Sequence, residues 1–282
     1  MLLKPRTVAE ASGLMAGGAA TLLAGGTDVF PALVDRPPPA RMIDLSGIAE
    51  MRGIVRCSAG TRIGAGCTWS EIIRADLPCG FDGLKAAARE VGSVQIQNRA
   101  TIGGNLVNAS PAADGVPPLL ALDAEVELVG RDGARRLPLG AFIFGNRKTA
   151  RRPDEILTAV YVPSEICDSG SAFLKLGARR YLVISIVMVA ANILCDEHGR
   201  VRVARVAVGA ASAVAQRLVV FEQRLIGLHA SDLAQVKPSP AELDNLSPID
   251  DARASATYRL EAAQVLVARA VVAAAGDSSH AS

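Results

Sequence analysis

Short apolar runs alternate with glycine- and proline-rich breaks through the first third of the chain, a pattern that predicts strands and helices in succession. ATLLAGG at 20–26 reads as a strand ending in glycines, and TDVFPALVDR follows as a helix that Thr27 or Asp28 caps, with Pro31 in its first turn. PPPARMIDLSG returns to a strand, and GIVRCSAGTRIGAGCTW predicts a hairpin turning at Ser58 to Gly60. Thr68 and Glu71 satisfy the T-x-x-E capping box of a short helix. The alanine-rich GLKAAAREVG at 83–92 is a helix stopped by Gly92, ATIGGNLVNASPAAD at 100–114 reads as a polar loop, and GVPPLLALDA opens another helix. AEVELVGRDGARRLPLG predicts a hairpin with its turn at Asp132-Gly133, and EILTAVYVP a strand ending at Pro163.

The pattern changes after the polar stretch SEICDSGSA at 164–172, which marks a domain boundary. YLVISIVMVAANILC at 181–195 reads as a long buried strand; its fifteen residues, broken by Ser185 and Asn192, fall short of the roughly 20 a membrane-spanning helix needs. After a turn at DEHG, arginine and apolar residues alternate over 200–206, predicting an antiparallel sheet with one wet face. VAQRLVVFEQRLIGL and SATYRLEAAQVLVARAVVAAA follow as helices, the second with an apolar face at 3.6-residue spacing, and GDSSHAS reads as a frayed tail.

Composition narrows the function. Thirty basic against 28 acidic residues leave a net charge of +2 with no long run of one sign, and aromatics make up 4% of the chain, which argues against nucleic-acid binding. The start of the chain lacks the apolar core of a signal peptide, so a cytoplasmic protein is expected. Five scattered cysteines, Cys57, Cys67, Cys79, Cys167 and Cys195, contain no C-x-x-C and predict neither a disulfide framework nor an iron–sulfur or zinc cage. His198, His229 and His280 read as surface residues, and no nucleophile elbow accompanies them.

Two glycine pairs carry the candidate chemistry. A Gly-Gly step lets a ligand approach the backbone closely and can aim successive amides at phosphate oxygens. The pairs are Gly25-Gly26, followed by Thr27 and Asp28, and Gly103-Gly104, flanked by Thr101, Asn105 and Ser110. An ordinary tight turn is the alternative for each. The Walker pattern is absent, and GAGCTW at 64–69 puts Trp69 where a dinucleotide fingerprint needs its third glycine, so no Rossmann site is expected. Asp114 reads as either a helix cap or a ligand contact. With no residues for difficult chemistry, a bound cofactor is expected to carry it.

LLAGGTDVFPAL, GSVQIQNRATIGGNLVNASPAADGVPPLLALDAEVEL, TARRPDEILTAVYVP, FLKLGARR and PIDDARASATYRLEAAQVLVARA resemble, in order, the FAD-binding medium subunit of the molybdenum hydroxylases, the family of xanthine dehydrogenase and carbon monoxide dehydrogenase flavoprotein subunits. The resemblance implies an α+β fold: a vanillyl-alcohol-oxidase (PCMH) type FAD-binding domain over 1–167, in two α/β lobes of about 1–52 and 53–167, then an α+β domain over 170–276 with antiparallel sheet and helices, and a tail at 277–282. It implies FAD contacts at Leu23, Ala24, Gly25, Gly26, Thr27 and Asp28, at Thr101, Ile102, Gly103, Gly104 and Asn105, and at Asp114, with Val91, Leu157 and Lys175 around the flavin. Val91 departs from relatives that carry an aromatic ring there.

The same resemblance implies a redox subunit in a dimer of heterotrimers, with molybdopterin on a large partner subunit and [2Fe-2S] clusters on a small one. Some relatives carry a cysteine-rich insertion for another cluster; none is present here, and no histidine lies in the first 197 residues for covalent attachment, so noncovalent FAD is expected. A self-contained flavin oxidoreductase and a nucleotide-binding module without redox work remain as alternatives. Gly103→Asp is expected to abolish FAD binding while leaving the C-terminal part folded.

Overall fold

The computed structural model describes residues 1–34 and 36–277. Chain order begins with β1 (Leu2–Leu3), α1 (Val8–Met15), β2 (Thr21–Leu23) and β3 (Met42–Asp44), which form a parallel sheet in the order β1-β3-β2. Thr7 caps α1 by accepting from the Glu10 amide at 3.1 Å.

The next stretch contains β4 (Ile54–Cys57), β5 (Gly60–Gly64), α2 (Trp69–Arg74), α3 (Asp82–Glu90), α4 (Val94–Gln97), α5 (Ile102–Asn108), α6 (Val116–Ala121), β6 (Glu125–Gly130), β7 (Gly133–Pro138), β8 (Ile143–Gly145), β9 (Lys148–Thr149), β10 (Ile156–Pro163) and α7 (Ser164–Cys167). Its five-stranded sheet is antiparallel, in the order β4-β5-β10-β6-β7. The expected capping box forms at Thr68 and Glu71 and starts α2. One apolar core, built around Trp69, Phe81, Ile102, Leu106 and Phe142, joins both sheets to the helices.

The last stretch is β11 (Gly170–Leu176), β12 (Val187–Cys195), β13 (Val201–Gly209), β14 (Gln216–Arg217), α8 (Val219–Leu225) and α9 (Ala256–Asp277), with an antiparallel sheet in the order β11-β12-β13-β14. Alternation along β12 sets the layers. Val187, Val189, Ala191 and Ile193 pack with α9 on one face, while Met188 and Ala190 meet Ala87 of α3 and Ala121 of α6 on the other. The mixed fold, with antiparallel sheets and helices, is as expected; no helix among the described residues is long and apolar enough to cross a membrane.

Several sequence expectations are corrected. Residues 27–34 form successive turns rather than a helix: Pro31 has no N–H to donate, Val34 has φ 41°, and Gly26 has φ 76°. Conversely, 102–108 is helix α5, not loop. Thr101 accepts from the Gly104 amide at 3.0 Å, and burial of Ile102 and Leu106 outweighs the poor propensity of two glycines and two asparagines. The hairpin turn is Arg131-Asp132, with Gly133 already paired to Gly130.

Strand β12 begins only at Val187, leaving Tyr181, Leu182 and Ile184 exposed. The C-terminal sheet has no wet face, because α3 and α6 cover the side opposite α9 and Arg205 turns inward to pair with Asp123. In VAQRLVVFEQRLIGL only Val219–Leu225 is helical, since Gln216 and Arg217 extend the sheet as β14. The predicted frayed tail lies, beyond Asp277, outside the described residues.

Candidate functional site

The two glycine segments form neighbouring walls of one cavity of about 610 Å³, within the roughly 300–1,000 Å³ range of small-molecule and cofactor sites. Close backbone approach requires the first glycine: a Cβ on Gly25 would lie 2.0 Å from the Arg99 carbonyl oxygen, so the turn after β2 rests directly on the chain entering α5. A hydrogen bond from Asn108 Nδ2 to Asp28 Oδ1, at 3.1 Å across 80 residues of sequence, ties the segments together again.

The two segments differ in their amides. No acceptor among the described residues takes the backbone N–H groups of Gly25, Gly26, Thr27, Asp28 or Val29, which leaves a run of open donors at the cavity. The donors of α5 are already used: Ile102 N–H bonds to Cys67 O at 3.0 Å, Gly103 N–H to Ala65 O at 2.9 Å, and Gly104 N–H to Thr101 Oγ1. The second pair therefore offers close approach rather than an amide nest. A Cβ on Gly103 would sit 2.7 Å from Ala65 Cβ, so this glycine fits α5 against the chain after β5, whereas Gly104 is exposed at the cavity wall.

Of the residues expected to contact a cofactor, Ala24, Gly25, Gly26, Thr27, Asp28, Thr101, Gly103, Gly104 and Asn105 line this cavity, joined by Val91, Asp114 and Leu157. Val91 is there because α3 ends at it in extended backbone, and Leu157 because β10 carries an irregularity between Leu157 and Ala159. Leu23 and Ile102 are buried behind the wall, and Lys175 reaches the cavity only through Asp114.

That contact joins the turn before α6 to the C-terminal sheet. Asp114 does not cap α6; its Oδ2 takes an ion pair from Lys175 Nζ of β11 at 2.9 Å, and its Oδ1 accepts from Ser185 Oγ at 3.1 Å. Burial pushes the Asp114 carboxyl above its ordinary value, and Lys175 and Ser185 oppose that rise. Ser185→Ala removes one of two partners from a buried carboxylate, and a loss of about 1–3 kcal/mol is expected in chemical denaturation.

Among the cavity residues missed in the sequence, four carry polar side-chain groups: Arg147, Arg151, Trp69 and Asn108. Arg147 lies in the β8–β9 turn with φ 56°, and its amide bonds to Asn108 O at 3.2 Å. Arg151 also lines the cavity; burial lowers its guanidinium from the ordinary value, yet it stays a cation and donates to the carbonyls of Arg152 and Glu155. The basic run RKTARR was the available signal. Trp69 and Asn108 carried none beyond residue type.

The residues fit FAD. Open amides and two arginines suit phosphate oxygens, and apolar side chains such as Met15, Leu22, Met51, Val91 and Ile96 suit flat rings. Trp69 Nε1 and Asn105 Oδ1, on cavity-lining residues, are buried without a hydrogen-bond partner among the described residues, leaving one donor and one acceptor unsatisfied in the wall of the cavity.

Comparison with known proteins agrees. The family described as "FAD binding domain in molybdopterin dehydrogenase" matches residues 1–165, and "CO dehydrogenase flavoprotein C-terminal domain" matches 172–274. The chain is 33% identical to a xanthine dehydrogenase FAD-binding subunit of Escherichia coli O157:H7 over 278 residues, covering 96% of this chain and 95% of the relative. It is 30% identical to the carbon monoxide dehydrogenase medium chain of Hydrogenophaga pseudoflava, covering 96% and 95%. The solved carbon monoxide dehydrogenase of that organism superposes with a TM-score of 0.84 at 27% identity, covering 98% of this chain and 97% of the other. Quinoline 2-oxidoreductase from Pseudomonas putida 86 gives 0.86 at 25% identity with the same coverage. The chain thus belongs to the FAD-binding medium-subunit family of the xanthine dehydrogenase and carbon monoxide dehydrogenase type, and is an oxidoreductase flavoprotein subunit with a PCMH-type FAD-binding fold.

Proposed function

We propose that this chain is the electron-transfer subunit of a molybdenum-containing hydroxylase, receiving electrons from [2Fe-2S] clusters on a small partner subunit and delivering them to an external acceptor. The reading divides the chain into an FAD domain over 1–167 and a second domain over 170–276, and places the protein in the cytoplasm beside a large molybdopterin subunit, in a dimer of heterotrimers. Bound noncovalently, FAD supplies the redox chemistry.

The chain's own residues bind and orient. The amides of Gly25 to Val29, with Arg147 and Arg151 nearby, would hold the pyrophosphate; Thr101, Gly104 and Asn105 would close the opposite wall; Val91 and Leu157 would exclude water from the rings. Lys175 and Ser185 keep the Asp114 carboxylate oriented at the cavity edge.

One observation carries the reading. Among the described residues that line the cavity, both carboxylates are already engaged, the buried Asp114 by Lys175 and Ser185 and the exposed Asp28 by Asn108, as suits a binding cradle rather than a site with its own acid or base. Two results test it. Affinity purification of the tagged chain from its own cells is expected to bring down one molybdopterin-containing and one [2Fe-2S]-containing chain. Anaerobic addition of the reduced [2Fe-2S] chain is expected to bleach the flavin. An isolated chain that oxidises an organic substrate by itself would instead favour a self-contained oxidoreductase.

A further inference from the structure

Helix α9 buries Ala263, Val267, Ala270, Val271 and Ala274 against the C-terminal sheet, which accounts for the apolar periodicity of its sequence. Near its start, Arg259 is also buried, at 1% exposure. A buried guanidinium is costly unless its donors are taken. Nη2 meets Asp251 Oδ1 at 2.7 Å, and Nη1 is shared between two carbonyls, Ile186 O at 2.5 Å and Ala210 O at 3.0 Å. These two residues stand just before β12 and just after β13. Both lead to the cavity wall. Ser185, the neighbour of Ile186, donates to Asp114 Oδ1 at 3.1 Å, and the Ile186 amide bonds at 2.7 Å to Leu176 O, beside the Lys175 that holds Asp114 Oδ2. The Ala210 amide bonds to Pro111 O at 3.1 Å, three residues before Asp114. Ala210 does so with φ 62°, a left-handed conformation that a non-glycine residue keeps only where its surroundings impose it.

We propose that Arg259 is a positioning residue for the FAD site: by holding Ile186 and Ala210 together, it fixes the segment that carries Asp114 at the cavity edge. The apolar residues of α9 already dock the helix, whereas the guanidinium reaches the two backbone points to which 111–114 is tied. An arginine suits this task because its planar fork serves Asp251 and the carbonyls at once, which the compact ammonium of a lysine does not. The inference rests on the reading that FAD occupies the cavity.

FAD titration of the full-length apo-protein tests it. Arg259→Lys keeps the charge but loses the fork, and is expected to weaken FAD binding by about tenfold, the size of one lost buried hydrogen bond. Ser185→Ala should weaken it to a similar extent. In the double variant the losses should not add, staying within about twofold of the larger single loss, because both changes free the same carboxylate. The visible absorption bands of bound flavin should shift alike in the two single variants. Val267→Ala loosens α9 without touching either carbonyl; it should lower the unfolding midpoint yet leave FAD affinity and bands unchanged. In the unaltered chain, where no variant has to fold, FAD should slow hydrogen exchange at the Ile186 and Ala210 amides, since coupling between sites is reciprocal. Wild-type affinity in Arg259→Lys, additive losses, bands that stay in place, an equal FAD loss in Val267→Ala, or unchanged exchange at both amides would each overturn the proposal. A wild-type chain that takes up no FAD would overturn the reading of the cavity, and this inference with it.

Discussion

Gly104→Asp is expected to lose FAD by more than 100-fold in affinity while the chain remains folded. Gly104 is exposed at the cavity wall, and the one atom an added Cβ would meet is Thr101 Oγ1 at 3.0 Å, the tip of a side chain. An aspartate in the first turn of α5 is acceptable to the helix. Its carboxylate, however, would face the phosphates of the ligand; at roughly 5 Å and an effective dielectric of about 20, one such pair costs about 3 kcal/mol. Gly104→Ala, lacking the charge, is expected to keep most of the flavin. Fluorescence titration of the apo-protein reads the difference, with circular dichroism as the fold control. Equal affinity in both variants would remove α5 from the phosphate site. Gly103→Asp reads something else: any side chain there drives α5 away from Ala65, so its flavin loss reports packing before charge.

Arg217→Met is expected to destabilise the chain by about 3–5 kcal/mol, the range for breaking a buried ion pair. Arg217 holds Glu222 with two bonds, Nε to Oε1 at 2.5 Å and Nη2 to Oε2 at 2.6 Å, and reaches Asp123 Oδ1 at 2.6 Å. Glu222 is 5% exposed at its side chain, and without Arg217 it keeps, among the described residues, only the Val206 amide at 2.8 Å. At about 2–4 °C per kcal/mol, the midpoint of thermal unfolding should fall by roughly 6–20 °C. Adding Glu222→Gln should recover part of the loss by removing the stranded charge. An unchanged midpoint in the single variant would show that Asp123, Glu222 and Arg217 do not couple the sheets energetically.

The glycines were legible because their chemistry is local. A run of two glycines after a strand already implies close backbone approach, and Gly25 meets Arg99 as that logic requires. What the sequence hid was tertiary. Helix α5 has poor intrinsic propensity and exists because Thr101 caps it and Ile102 and Leu106 enter the core. The C-terminal sheet looked wet on one face because arginine alternates along β13, but α6 docks there and Arg205 finds Asp123, 82 residues away. Arg147 and Arg151 could not be placed at the cavity from spacing, since a hairpin and a turn bring them back to α5. Asp114 illustrates both limits: its position beside the glycines hinted at a role, while its partners, Lys175 on β11 and Ser185 just before β12, lie 61 and 71 residues away in sequence.

The central claim is that one FAD sits noncovalently in the cavity between the turn at Gly25 and helix α5. Acid precipitation of the purified, flavin-reconstituted chain, followed by chromatography of the supernatant, tests it most directly. The account predicts one FAD per chain, recovered entirely in the supernatant. A chain that stays colourless after reconstitution, releases FMN in place of FAD, or retains its flavin in the precipitate would contradict it.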